Sequence, residues 1–300
     1  MRKTFVTLVC LSLAISVNAQ HEPIYTQYGM NQGMFNPAYT AVNNVFGVSL
    51  MSRVQWIGLN GAPFTNTLIA QTSFFNNKGG AGLLINSNTY SVSNNLEIFA
   101  QAAYKIATGI DSQLSIGLQA GYLDYRNDFT KIPEADLDPL FGAVEENVSE
   151  PNVGMGIFFN TTNFYLGFSI PKYIEYKSSE NATDLLNYKR HYYGSVGAVL
   201  PMGLLKFKAT ALTIITDDNF SYELTTSLLL AETIWAGIFT RNLNAFGAMG
   251  MFEITDRLKL GLTVELPSTE LVTNQYGSYE MFFSWEMAAF NRQRLKRRYF

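Results

Sequence analysis

Residues 258–267 read LKLGLTVELP, and apolar side chains alternate along them with polar or small ones. A strand with this two-residue period has one apolar face and one polar face. In a membrane β-barrel the apolar face meets lipid and the polar face meets a wet lumen. The same alternation recurs over residues 95–106, 164–172 and 277–287. We therefore predict an all-β fold, a transmembrane antiparallel β-barrel.

Period-two segments bounded by turn residues predict about fourteen strands, most of them about nine to twelve residues long, which is the length that crosses a bilayer when tilted. Segments 233–241 and 245–254 alternate poorly, which leaves the strand count open by two. The predicted strands span residues 45–53, 65–74, 81–90, 95–106, 113–126, 152–160, 164–172, 191–200, 204–215, 219–230, 233–241, 245–254, 258–267 and 277–287.

The composition favours a membrane barrel over a soluble protein. Hydrophobic residues make up 47% of the chain, whereas charged residues make up only 15%, against about a quarter in soluble domains. A helical membrane protein would instead carry runs of about eighteen or more apolar residues. A soluble β-sandwich remains the alternative, with its apolar face buried against a second sheet.

The first residues form an export signal. Arg2 and Lys3 precede an apolar run over residues 5–17, and Ala19 offers a small-residue cleavage site. A retained membrane anchor is the alternative. The one cysteine, Cys10, lies inside this signal, so a cleaved chain has neither disulfides nor thiolate metal sites. We divide the chain into a signal peptide (1–19), an amino-terminal periplasmic or plug segment (20–44), the barrel (45–287) and a basic periplasmic tail (288–300).

The lengths of the connections predict how the barrel is oriented. Bacterial barrels place short turns in the periplasm and longer loops outside. The three longest predicted connections, residues 54–64, 127–151 and 173–190, follow strands one, five and seven. All three follow odd-numbered strands. With an even strand count, both termini of this outer-membrane protein are then expected in the periplasm.

The segment before the first strand is too irregular to face lipid, because unpaired backbone groups are not tolerated in hydrocarbon. It either plugs the lumen or forms a flexible periplasmic leader. A plug would bury aromatic rings against the wall and bond to it through amides. The rings are Tyr25, Tyr28, Phe35 and Tyr39, and the amides are Gln27, Asn31 and Asn36.

Two blocks of residues carry a family resemblance. The first reads Glu22-Pro23-Ile24-Tyr25-Thr26-Gln27-Tyr28, followed by Asn31 and Asn36-Pro37-Ala38-Tyr39. The second contains Arg53, Gln55-Trp56, Gly58 and Gly61-Ala62-Pro63, with Thr65 after it. In this order the blocks resemble the opening of the PorP/SprF family of type IX secretion system outer-membrane proteins. The ending Arg298-Tyr299-Phe300 is similar to the basic and aromatic ending of many members.

The resemblance implies an outer-membrane barrel that works with the type IX secretion machine. Members of this family are associated with the export or surface retention of large secreted proteins such as gliding adhesins. The implied partners are a secreted surface protein or its C-terminal targeting domain, periplasmic secretion components and outer-membrane lipid. The candidate partner-binding residues are Gln27, Tyr28, Asn31, Asn36, Pro37, Arg53, Gln55, Trp56, Gly58, Gly61, Pro63, Arg297 and Arg298.

The second block lies mostly on the first long connection. Gly58, Gly61 and Pro63 predict a tight loop, and a loop of fixed shape recognises a partner better than a flexible one. Trp56 is expected in the interfacial aromatic girdle, with an inward position that narrows the pore as the alternative.

Charges cluster at three places in the sequence. The connection 127–151 is acidic and is interpreted as a solvated loop that steers a basic partner; its Asp136-x-Asp138 pair lacks the rest of an EF-hand. The tail is basic and is expected to contact an acidic periplasmic protein or lipid headgroups. Charges on lumen-facing positions are interpreted as a wet wall, with ion pairing as the alternative. They are Lys206, Lys208, Lys259, Glu223, Glu265, Glu280 and Glu286.

Nothing in the sequence predicts catalysis, a cofactor, a metal site or nucleic-acid binding. His191 opens a strand without an acid and nucleophile arranged around it, so a girdle or lumen position is favoured. We expect a non-enzymatic secretion component that binds or retains an adhesin-like secreted protein. A passive channel for small solutes is the main alternative, and a lipid-modifying barrel enzyme is a weaker one.

Overall fold

The protein is a closed barrel of fourteen antiparallel strands. The computed structural model describes residues 25–42, 45–129, 145–176, 188–203, 205–217, 219–267 and 275–288. The strands are β1 (Val45–Val54), β2 (Phe64–Phe74), β3 (Gly79–Tyr90), β4 (Ser93–Ala107), β5 (Gln113–Asp128), β6 (Glu145–Asn160), β7 (Phe164–Ile170), β8 (Tyr192–Met202), β9 (Leu205–Thr216), β10 (Asn219–Leu230), β11 (Ile234–Arg241), β12 (Ala245–Thr255), β13 (Leu258–Pro267) and β14 (Ser278–Ala288).

Each strand pairs with its neighbours in sequence, and β14 closes the barrel against β1. In this closing pair Val45 lies opposite Ala288 and Val54 lies opposite Tyr279. The predicted fold class and the count of fourteen are confirmed, and the poorly alternating segments 233–241 and 245–254 are strands β11 and β12. Within the described residues, no helix is both long and apolar enough to cross a membrane.

The two faces of the strands follow the predicted alternation. In β13, Leu262, Val264 and Leu266 are exposed on the outer face, whereas Thr263 and Glu265 are buried on the inner face. The outward rows expected on β4, β7 and β14 are likewise exposed, except for Ile170 at the end of β7, which is half-buried. Each outer row is therefore apolar, as contact with lipid requires.

The connections divide between two rims. The short-loop rim carries the turns after even-numbered strands, none longer than the five residues 108–112. The long-loop rim carries the connections after odd-numbered strands, including 55–63, 171–191 and 268–277. Residues 130–144, the middle of the predicted acidic loop, lie outside the described residues.

The observed strand ends lie within two residues of the predicted ones, except at β6, which begins seven residues earlier than predicted. β5 and β6 continue to Asp128 and back from Glu145, so much of the connection predicted at 127–151 is a hairpin. Beyond the bilayer a strand needs no apolar face. The extended part has polar residues on both faces, so it lacks the alternation that predicts a strand. β7 ends at Ile170 rather than at residue 172, because Pro171 and Lys172 turn into the lumen, where Lys172 Nζ lies 2.7 Å from Glu97 Oε1.

Candidate functional site

Residues 25–42, hereafter the plug, lie inside the barrel. They form three short 3₁₀ helices, Thr26–Met30, Gln32–Met34 and Pro37–Ala41. Thr26 N–H donates to Glu280 Oε2 at 2.9 Å, and Glu280 is the third residue of β14 from the long-loop rim. Val42 ends the plug three positions before β1 begins at the short-loop rim. The plug therefore runs through the lumen from the long-loop side to the short-loop side.

Asparagine side chains give the plug its local turns. Asn31 Oδ1 accepts from Gly33 N–H at 3.0 Å, and Asn36 Oδ1 accepts from Ala38 N–H at 3.0 Å. Both act as N-caps, which satisfy backbone donors that a short helix leaves unpaired. Pro37 follows at the first helical position, where its missing N–H costs nothing. Asn36-Pro37 therefore works as a cap and helix start.

The amides and phenols of the plug also bond to the wall. Gln27 Nε2 donates to Thr263 Oγ1 at 2.9 Å, and Asn31 Nδ2 donates to Ser49 Oγ at 3.1 Å. Asn36 Nδ2 donates to the Ile157 carbonyl at 3.1 Å. Tyr28 donates to Thr210 Oγ1 at 3.1 Å. These four side chains, together with Pro37, are buried, so none of them is available to a partner while the plug is in place.

Burial also changes the acidity of the plug phenols. It raises the pKa of Tyr25 and of Tyr28 above the ordinary tyrosine value. Tyr25 hydroxyl accepts from Thr67 Oγ1 at 3.1 Å, and this bond opposes the effect of burial only in part. Both phenols therefore stay neutral at physiological pH.

Glycines in the wall make room for the plug. A β-carbon on Gly80 would overlap the backbone of Thr40, and one on Gly117 would overlap the backbone of Ala38. A β-carbon on Gly156 would overlap the side chain of Asn36, and one on Gly261 would overlap the amide of Gln27. The overlaps at Gly80 and Gly117 are with backbone, so side chains at these two positions would displace the plug, and the inner wall is shaped to its path.

Met34 lies where apolar groups from most of the barrel wall meet. It packs against a cluster in which Tyr28 and Phe35 of the plug join Tyr193, Leu212 and Ile214 of β8 and β9. It also packs against a cluster of Ile69, Leu84, Phe99 and Leu123 from β2 to β5. A third cluster against which Met34 packs combines Tyr25 of the plug with residues of β1, β10, β11, β12 and β14. Its wall residues are Met51, Leu229, Trp235, Met251 and Phe282. The lumen at this level is therefore an apolar core.

This core explains why β11 and β12 alternate poorly. Their inward positions hold Trp235, Phe239, Met249 and Met251, which are buried. Their outward positions are apolar as well, for example Ile238 and Phe252, which are exposed. Both faces are apolar because one meets lipid and the other meets the plug region, so the two-residue period is lost.

Five charged side chains form a buried ion network beside the start of the plug. Arg53 Nη2 lies 2.9 Å from Glu265 Oε1, and Arg53 also pairs with Glu280. Arg241 lies 2.8 Å from Glu265 and 2.6 Å from Glu223. Arg53 is 1% exposed and Glu223 is fully buried. The network holds the plug directly, because Glu280 accepts from Thr26 N–H and Thr26 Oγ1 accepts from Arg241 Nη2 at 3.3 Å.

The prediction that the charges inside the barrel form a wet wall is wrong for most of them. Glu223, Glu265, Glu280 and Lys208 are buried. A buried charge is tolerated only when it is paired or hydrogen-bonded. The three carboxylates meet arginines, and Lys208 Nζ donates to the Gly29 carbonyl of the plug at 3.0 Å. Ion pairing, the alternative interpretation, applies to the carboxylates, although their partners are Arg53 and Arg241 rather than the lysines.

Two pairs and His191 complete the set of predicted inner residues. Lys206 Nζ lies 3.0 Å from Glu232, and Lys259 Nζ lies 3.6 Å from Glu286. His191 is buried, with its ring 5.6 Å from that of Tyr188 and 6.4 Å from that of Tyr193. Its position is therefore in the lumen rather than in a girdle.

The loop of residues 55–63 is fixed by neighbours on both sides. Ile57 N–H donates to the Gly277 carbonyl at 2.9 Å, and Tyr276 N–H donates back to the Ile57 carbonyl at 2.7 Å. On the other side, Ser91 N–H donates to the Gly61 carbonyl at 2.9 Å. These bonds tie the loop to the connections before β14 and after β3.

The candidate residues of this loop differ in exposure. Gln55, Trp56 and Pro63 are half-buried, whereas Gly58 and Gly61 are exposed. Trp56 N–H donates to Ser278 Oγ at 3.2 Å, and Gln55 N–H donates to the Pro63 carbonyl at 2.9 Å. Gly58 has φ +104°, a left-handed conformation that favours glycine. The loop thus has the tight shape that its glycines and proline predict.

The structure brings the two sequence blocks together at the ion network, through Thr26 and Arg53. Sequence reasoning missed Arg241 and Met34. Arg241 has the same inward parity on β11 as Trp235 and Phe239. Its parity and its charge together could have indicated an inward partner for the carboxylates. The predicted signal peptide, Arg297 and Arg298, and the Asp136-x-Asp138 pair lie outside the described residues.

Comparison with known proteins identifies the family. The family model described as type IX secretion system membrane protein PorP/SprF matches residues 17–285. The chain belongs to this family. Its barrel fold and its family together place it in the outer membrane as part of the type IX secretion system. A search of curated proteins finds no match.

Solved structures show the same fold at low sequence identity. The CymD monoaromatic hydrocarbon channel has a TM-score of 0.55 and 9% identity, over 92% of this chain and 96% of that chain. The Pseudomonas putida toluene transporter TodX has a TM-score of 0.52 and 9% identity, over 87% of this chain and 95% of that chain. These similarities concern the barrel fold alone.

Proposed function

We propose that this protein is a closed, non-enzymatic barrel that binds or retains a secreted, adhesin-like surface protein during type IX secretion. The partner, or its C-terminal targeting domain, binds at the long-loop rim. Periplasmic secretion components contact the opposite side. The observation that carries the proposal is the plug. Because it fills the lumen, it favours a role in binding over a role in transport.

The packing around Met34 argues against a passive channel. Diffusion of solutes needs a continuous wet path, whereas Met34 packs against three buried apolar clusters that include residues of the wall. The plug is also bonded to β1, β6, β9, β13 and β14 through side chains or backbone. Opening a path would require many of these bonds to break together.

The loop of residues 55–63 supports partner binding. Its backbone is bonded to Gly277 and to Ser91, so little conformational entropy is lost when a partner binds. Ile57 and Tyr276 are exposed beside each other on this rim, with 37% and 76% of their surface accessible. Exposed apolar and aromatic side chains on a fixed backbone are typical of a binding surface.

The orientation follows from the connection lengths. We place the long-loop rim outside the cell and the short-loop rim in the periplasm. Ala288 lies at the short-loop rim, which supports a periplasmic tail over residues 288–300 with Arg297 and Arg298 as contacts. At the other end of the chain, the bond from Thr26 to Glu280 favours a lumenal rather than a periplasmic position for the first plug residues.

Planar-bilayer recording and surface display test the proposal. We expect the purified protein to be nearly silent in the bilayer, and we expect deletion of the chain to remove specific proteins from the cell surface. Exchange of residues 55–63 should reduce display of the same proteins. Steady conductance by the wild-type protein, together with unchanged display after deletion, would favour the passive channel instead.

A further inference from the structure

On the long-loop side, the barrel wall is much lower at β7 than at β6. β6 has 16 residues, whereas β7 has 7. β7 pairs with β6 only over residues 155–160. β5 covers the other edge of β6 along its whole length, from Asp128 opposite Glu145 to Gln113 opposite Asn160. Over residues 145–153, the edge of β6 that faces away from β5 is therefore paired with no described strand.

The direction of the backbone groups along this edge can be assigned. The Val153 carbonyl accepts from Tyr173 N–H at 2.7 Å, so residue 153 points its backbone groups away from β5. Pro151 shares this parity and has no N–H to offer, as is usual for proline at a sheet edge. Its carbonyl accepts from the Tyr176 hydroxyl. Because the pairing with β5 is regular, the N–H and C=O groups of Asn147 and Ser149 also point away from β5, toward the unpaired edge.

The charge of the hairpin selects what can pair with this edge. The part of the β5–β6 hairpin that extends beyond β7 carries five acidic residues and one basic residue. The basic residue is Arg126, which lies 2.9 Å from Asp124. The acidic residues are Asp124, Asp128, Glu145, Glu146 and Glu150. Like charges directly opposite each other destabilise a strand pair. A second copy of this hairpin is thus disfavoured, whereas a basic strand is attracted.

We propose that the outer edge of β6 at residues 147–149 accepts an extended, basic strand of the secreted partner. This inference rests on the proposed function and names the mode of binding. Addition of a strand to a sheet edge gives affinity through backbone hydrogen bonds, and the flanking side chains give selectivity. Here Asn147 and Ser149 supply the backbone groups, and the acidic residues supply the selectivity.

Peptide binding to the full chain in lipid nanodiscs tests the edge. The probe is a labelled six-residue peptide of alternating valine and lysine, and the control peptide has glutamate in place of lysine. The double variant Asn147→Pro and Ser149→Pro removes the two outward N–H donors and leaves the donors facing β5. The matched double variant Asn147→Ala and Ser149→Ala removes the same side chains and keeps both donors.

We expect the lysine peptide to bind the wild type and the alanine variant similarly, and the proline variant at least tenfold more weakly. The glutamate peptide should not bind. Equal binding of the lysine peptide to all three proteins would overturn the inference, because charge alone would then explain it. Absence of binding to the wild type would overturn it as well. So would slow hydrogen exchange at residues 147 and 149 before peptide is added, since another segment or a second copy would then occupy the edge.

Surface display separates this inference from the proposed function. If deletion of the chain abolishes display and the proline variant displays normally, the edge is not the binding site but the proposed function stands. If deletion leaves display unchanged, the proposed function fails whatever the peptide result.

Discussion

Gly117 of β5 faces the plug so closely that a β-carbon on it would overlap the backbone nitrogen of Ala38. Backbone cannot rotate away as a flexible side chain can. Gly80 stands in the same relation to the backbone of Thr40. The inner wall and the plug are therefore complementary in shape, and this complementarity can be tested by adding single methyl groups.

Gly117→Ala should loosen the plug. Overpacking of a filled core costs about 1–3 kcal/mol, and here the strain falls on the contact between plug and wall. We expect conductance in planar bilayers to rise from near silence to frequent openings. The control is Gly47→Ala, since Gly47 also faces inward and its nearest neighbours are Glu286, Trp285 and Gln71 rather than the plug. Equal conductance of the two variants would show that the plug is not held by shape.

Arg53→Gln should destabilise the barrel strongly. It leaves Glu280 and Glu265 buried without their shared partner, and breaking a buried pair costs about 3–5 kcal/mol. The measurement is urea unfolding in detergent or lipid. Arg126→Gln is the matched control, because the Arg126 side chain is 63% exposed and exposed pairs contribute about 0–1 kcal/mol. A loss below about 1 kcal/mol for Arg53→Gln would show that the network is dispensable.

Met34→Ala should weaken the packing where three apolar clusters of the interior meet. Truncation of a packed methionine costs about 2–5 kcal/mol, although some exposure of Met34 favours the lower end. Met155→Ala makes the same change on the outer face, where Met155 is 44% exposed, and is expected to cost much less. The two unfolding midpoints give the comparison. If both variants lose the same stability, Met34 is not at the centre of a core.

Alkaline pH should release the plug. Burial raises the pKa of Tyr25 and Tyr28, so the folded state holds these protons at a pH where the unfolded state, with a pKa of about 10, loses them. The stabilisation is complete below about pH 10 and is lost as the pH rises toward the folded pKa. We expect stability to fall progressively as the pH rises above about 10. The double variant Tyr25→Phe and Tyr28→Phe should show a flatter profile over this range, and an unchanged slope would contradict the assignment.

The strands were predictable because the membrane imposes a strict pattern. Lipid on one side forces apolar residues such as Leu262 and Val264 to one face, and the period of two then reveals the strand. Where lipid is absent, the pattern fails. The upper part of β6, from Glu145 to Glu150, has no such face, so the sequence alone predicts a loop there.

The interior was less predictable, because its contacts join distant parts of the chain. Gln27 was identified as an amide that could bond to the wall, but nothing local in the sequence pairs it with Thr263, 236 positions away. The carboxylates of Glu265 and Glu280 were identified as inward charges. Their partner Arg53 is a candidate for partner binding in the sequence analysis instead, because it belongs to the family-like block, although it ends the predicted strand 45–53.

The bond between Thr26 and Glu280 joins residues 254 positions apart, so the earliest described part of the chain depends on the last strand of the cylinder. Contacts with such long sequence separation form late, because the loop they close is costly in entropy. Filling of the interior and closure of the wall are therefore expected to be one cooperative event in assembly. A barrel that closed first would have to admit eighteen residues through a narrow opening, whereas strands gathering around them meet no such obstacle.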